Sequence, residues 1–146
     1  MALKSYNGFS GAQRNKAAAW IREQYHKGLA HPPLVCCACG QDRGVMDNHQ
    51  EDYSEPYGPH IFAFPLCYPC HLMVHCRARS PIAWATYRQL VRDGMRLRRP
   101  FMSRDFGRLC RELLNGLDPQ GFEAGGIPGS TVLDEIDQGR HDPRSR

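Results

Sequence analysis

Four cysteines in two short pairs carry the clearest chemistry in this chain: Cys36-x-x-Cys39, within CCACG, and Cys67-x-x-Cys70, within LCYPCHLMVHC. A C-x-x-C turn puts two sulfurs on one side of a knuckle and lets backbone amides offset the thiolate charge. Two such knuckles close a tetrahedral site of four sulfurs, a coordination that suits zinc. Gly40, directly after the first pair, fits a tight metal-binding turn. The 27 residues between the pairs exceed the usual ribbon spacing and predict an inserted hairpin or loop. Cys37 offers a competing Cys37-x-Cys39 pair, whose spacing suits one ion less well. Cys76 and Cys110 are left over and read as small buried side chains.

The histidines form a second layer. His71 follows Cys70, and His75 lies one helical turn further on, so a helix beginning near Cys70 points both to one side. His49, in MDNHQEDY, lies between the pairs and, with Asp47, can approach the same helix. Nitrogen and oxygen ligands with open positions suit Mg²⁺, Mn²⁺, Zn²⁺ or Ni²⁺ in phosphodiester cleavage. His75 has two other uses open to it, replacing a cysteine at the zinc or capping the helix.

These residues need elements to hold them. Ser10 predicts the cap of a helix to about Lys27, stopped by Gly28, with Ala17, Trp20, Ile21 and Tyr25 on one face. Residues 1–9 read as unstructured. IFAFPL is a short strand candidate after the loop DYSEPYGPH. Ser80-Pro81 opens a helix to about Asp93, with Gly94 as its end. Its apolar face is Trp84, Tyr87, Leu90 and Val91. Ser103 is the expected cap of a last helix to about Asn115, burying Phe106, Leu109, Cys110, Leu113 and Leu114. The chain thus divides into an N-terminal helix (1–33), a zinc-binding module (34–79), C-terminal helices (80–117) and a flexible tail (118–146) with a short helix near TVLDEI. The fold class is α+β, mostly helical outside the module.

Composition narrows the setting. Seven cysteines without the apolar core of a signal peptide argue against a disulfide framework. No apolar run approaches bilayer length, so the reading is cytoplasmic, with no membrane contact. A net charge of +4 is compatible with nucleic acid without demanding it.

The stretch CACG…DNHQEDYSEP…LCYPCHLMVH, preceded by RNKAAAWIREQYHKG, resembles the small HNH-like zinc proteins of phages and mobile elements. The resemblance covers about residues 10–80. It implies a small ββα module, treble-clef-like, in which a hairpin and a helix grip a catalytic metal. It also implies a structural zinc on Cys36, Cys39, Cys67 and Cys70, with His71 as a ligand of the catalytic ion. Two alignments of the catalytic segment stay open. In one, His49 is a ligand and Gln50 stands where the general base belongs. In the other, Asp47 is the ligand and His49 the base. The asparagine that positions the base in active members has no counterpart before Leu66-Cys67, and glutamine is no useful base near neutral pH.

Arg88, Arg92 and Arg96 recur at four-residue steps, and Arg104 and Arg108 continue the pattern on the last helix. Arginine forks suit phosphates, so these rows are candidate nucleic-acid contacts, with an acidic protein partner as a second use. The sequence therefore points to an HNH-like zinc protein that binds DNA, or a partner that processes it, with weak or lost nuclease activity. The alternative is an active metal-dependent endonuclease.

Overall fold

A computed structural model describes residues 3–139. Five helices and two small antiparallel sheets make an α+β architecture: α1 (Gly11–His26), β1 (Met46–His49), β2 (Phe64–Cys67), α2 (Tyr68–His75), α3 (Pro81–Arg92), β3 (Met95–Leu97), α4 (Phe106–Leu113), β4 (Phe122–Ala124) and α5 (Val132–Asp137). Among these residues no helix is long and apolar enough to cross a membrane.

Helix α1 begins where the sequence predicts. The Ser10 hydroxyl accepts from the Gln13 amide, and the Gln13 side chain accepts from the Ser10 amide, a reciprocal capping box. Its inner face packs Ala17 with Phe9, Tyr53 and Ile61 in a small satellite core, flanked by Trp20 and Ile21. The stretch before α1 is not unstructured. Tyr6 and Phe9 form an isolated bridge, Phe9 is buried, and the Asn7 side-chain amide donates to the Glu51 carbonyl at 2.8 Å.

Strands β1 and β2 pair in the register Met46↔Cys67, Asp47↔Leu66, Asn48↔Pro65 and His49↔Phe64. The second strand runs straight into α2 at Tyr68. The segment expected as one strand, IFAFPL, is divided: a 3₁₀ turn covers Pro59–Phe62, and only Phe64–Cys67 is extended. This hairpin and α2 place the second cysteine pair against the first.

The main core gathers the cysteines, Leu66, Met73 and Val74 with Trp84, Tyr87 and Val91 of α3, Leu109 and Leu113 of α4, and Leu133 and Ile136 of α5. Helix α3 keeps its predicted span. Helix α4 starts later than Ser103 predicts, because Asp105 is its cap and accepts from the Arg108 amide at 3.0 Å. The later start turns Phe106 out of the core, leaving it 50% exposed.

The expectation of a flexible tail from residue 118 is corrected over the described part, while residues 140–146 lie outside the described residues. Phe122–Ala124 pairs with Met95–Leu97, and α5 buries Leu133 and Ile136. A Cβ on Gly126 would sit 2.8 Å from the Gly94 carbonyl and 2.9 Å from that of Cys39, so a residue without a side chain is needed where this segment crosses the first knuckle. Composition suggested a tail because Gly and Pro are frequent there; in the fold they supply turns and close approach.

Candidate metal centres

The thiols of Cys36, Cys39, Cys67 and Cys70 lie within 4.8 Å of one another, and all four residues are buried. They could hold a metal ion such as zinc. The first knuckle is built as its spacing predicts: the Cys39 amide points at the Cys36 sulfur at 3.5 Å, and the Gly40 amide donates to the Cys36 carbonyl at 2.9 Å with Gly40 at a φ of +73°. On the second, the Tyr87 hydroxyl lies 3.0 Å from the Cys70 sulfur. Burial works against ionisation of Cys36, yet hydrogen bonds from the other three thiols hold it well below the usual thiol range. Cys67 and Cys70 are correspondingly pushed up. In a cluster that shares protons this closely, a thiophilic cation can take the place of those protons and keep the sulfurs as its ligands. Cys37 is not part of it; burial pushes its thiol up to about 12, and its amide is used by the Pro65 carbonyl.

The second set is His49, His71 and His75, whose ring nitrogens also lie within 4.8 Å of one another. His49 ends β1 and is 1% exposed; His71 and His75 stand one turn apart on α2. The outer nitrogens are taken. His71 Nδ1 meets Asp47 Oδ2 at 3.1 Å, and His49 Nε2 meets Glu51 Oε2 at 2.6 Å. That leaves His71 Nε2, which lies 3.0 Å from His75 Nε2, and His49 Nδ1, which is buried without a hydrogen-bond partner. An orphaned buried nitrogen beside two converging imidazoles fits a metal position. Histidine ligands commonly have carboxylates behind them, and both are present here. Burial, with the neighbouring His71, lowers the His49 pKa to about 4 against the hydrogen bond His49 donates to Glu51, and desolvation followed by His71 and His49 also lowers His75. Both rings are therefore neutral, as ligands must be.

His49 joins the ligand cluster, and Asp47 stands behind His71 rather than within it. His75 belongs with these histidines, neither completing the cysteine site nor acting as a cap. Gln50 is a strut, its amide donating to the carbonyls of Asn48 and Ile61 at 3.0 Å each. An all-imidazole set favours Zn²⁺ or Ni²⁺ over Mg²⁺, which prefers oxygen.

Sequence reasoning missed the buried network behind His49. Glu51, 3% exposed, also accepts from the Tyr6 hydroxyl and pairs with Arg77 at 3.3 Å. Glu51 lies two residues from His49, which is the one signal that could have pointed to it; Tyr6 and Arg77 arrive from distant segments.

The arginine rows are largely engaged. Arg88 and Arg92 pair with Asp134 at 3.1 and 2.6 Å, Arg96 pairs with Glu123 at 3.4 Å, and Arg108 pairs with Glu112 at 3.1 Å. They do not present one free basic face. Arg104 is different: it reaches Asp47 Oδ1 at 2.6 Å while 62% of its side chain stays exposed. It lines a cleft of about 620 Å³ together with Arg22, Asn48, Tyr68, His71 and His75. No protein-family model, curated protein or solved structure matches this chain.

Proposed function

We propose that this chain is an HNH-like, zinc-stabilised protein that cleaves nucleic-acid phosphodiesters with the help of a second metal ion. The convergence of His49, His71 and His75 at the edge of an open cleft carries this reading. A hairpin leading into a helix that bears two of the three histidines supports the HNH-like assignment. The cysteine site already supplies a structural cross-link, so a second, nitrogen-only centre beside a cleft has no evident structural purpose. Bound there, a divalent cation would polarise a phosphoryl oxygen and acidify water.

The chain's own residues divide the remaining work. Asp47 and Glu51 fix the ring orientations of His71 and His49. Arg104 and Arg22 offer guanidinium groups to phosphate oxygens along the cleft. The cysteine pairs set the start of α2 and hence the direction of His71 and His75.

A second reading, binding with weak or no cleavage, is favoured by one observation. Asp47, Glu51 and Gln50 all have partners, and all three histidines belong to the ligand set, so no side chain is left unengaged as a general base. Incubating zinc-loaded protein with plasmid and single-stranded DNA in Mn²⁺, Ni²⁺ or Zn²⁺ separates the two. Cleavage that disappears in His71→Ala and persists in Cys37→Ser supports the enzyme. Affinity without cleavage under every metal supports the binder.

A further inference from the structure

The cleft beside the histidines has two kinds of lining. Arg22 and Arg104 supply the charged part of its lining, and Ile21, Tyr68, Leu72 and Phe106 the apolar part. Arg22 is exposed and has no ion pair among the described residues. Phe106 is half exposed because α4 begins at its own position, so the ring faces the cleft rather than the core. A duplex offers a concave site of this kind its phosphates and base edges, while its base faces stay inside the stack. An unpaired base offers a face, and aromatic rings beside arginines are a sequence-tolerant platform for it. The volume, about 620 Å³, lies within the range that encloses one small ligand-sized group.

We infer that the cleft takes one unpaired nucleotide, its base against Phe106 and Tyr68 and its phosphate between the two arginines and the histidine centre. The substrate is then single-stranded nucleic acid, whose base faces are free to stack. This rests on the nucleic-acid reading above and specifies the form of nucleic acid it takes. Charge favours the placement: Arg104 is already held at the histidine centre through Asp47, so a phosphate bound by Arg104 lies beside that centre.

Fluorescence anisotropy of the full chain, zinc-loaded and without added second metal, tests the inference with labelled oligothymidylate and a labelled duplex. The single strand should bind more tightly. Phe106→Ala should weaken single-strand binding roughly 5- to 150-fold, the loss of one stacked base, and leave the duplex signal unchanged. Phe106→Trp should restore affinity, and thermal unfolding should be unaltered by either change, since this ring is half exposed. Equal affinity for both forms, or an unchanged single-strand affinity in Phe106→Ala, overturns the unpaired-nucleotide inference while leaving the phosphodiester reading standing. Absence of binding to either form overturns both.

Discussion

Asp47 holds two partners from distant parts of the chain, one of them 57 residues away: one carboxylate oxygen receives Arg104 at 2.6 Å, and the other meets His71 Nδ1 at 3.1 Å. The segment leading into α4 is thereby tied to the back of a candidate metal ligand. Hydrogen bonds from His71 and Arg104 outweigh burial and lower the Asp47 pKa, so the carboxylate is charged at neutral pH.

Asp47→Asn should lower the affinity of the histidine centre for Zn²⁺ or Ni²⁺ by about 10- to 100-fold, the usual effect of losing a carboxylate behind a ligating histidine. Isothermal titration of protein whose cysteine site is already filled measures this. The cysteine-bound zinc, assayed by elemental analysis, should remain at one per chain.

Zinc removal should unfold the module, because binding at a four-cysteine site contributes on the order of 10 kcal/mol to folding. Cys39→Ser should be severe and Cys37→Ser mild, since only the former belongs to the buried cluster. Circular dichroism with and without chelator reads both; the reverse ranking would mean the wrong pair holds the ion.

The histidine centre should make stability pH-dependent when its metal is absent. An unfolded imidazole titrates near 6.5, whereas burial pushes His49 down to about 4. Between those values the unfolded chain binds more protons than the folded one, so stability rises with pH. It is fully present above about pH 6.5 and lost as pH falls toward 4, with His49 contributing roughly 3 kcal/mol. Denaturant midpoints across that window measure it, and a flat profile would show that His49 is protonated in the fold.

Arg22→Gln with Arg104→Gln should flatten the salt dependence of nucleic-acid binding by about one unit per lost phosphate contact. Arg88→Gln with Arg92→Gln should leave that slope alone and instead loosen α5, because both arginines are held by Asp134. Asp134→Asn should cost about 1–2 kcal/mol in urea unfolding by the same route.

The parts of this protein that were legible in the sequence are those whose signals are local. Ser10 announces the cap of α1, and each C-x-x-C pair announces its own knuckle. His71 and His75 declare a shared face through helical spacing alone. What was illegible depends on distant pairing. The ion pairs of Arg88, Arg92 and Arg96 were illegible because their partners, Asp134 and Glu123, lie in a stretch whose glycines and prolines suggested no structure. The start of α4 was misplaced because two capping residues, Ser103 and Asp105, compete, and only the fold chooses. The role of Asp47 against His49 turned on which nitrogen faced which oxygen, a matter no spacing encodes.

Cys70 and His71 are neighbours in the chain, yet one belongs to each metal cluster. A single peptide unit therefore couples the two clusters: a shift of the first turn of α2 that displaces the Cys70 sulfur also displaces the His71 ring. Distortion at one set of donors is thus passed to the other through one bond rather than through a chain of packed side chains.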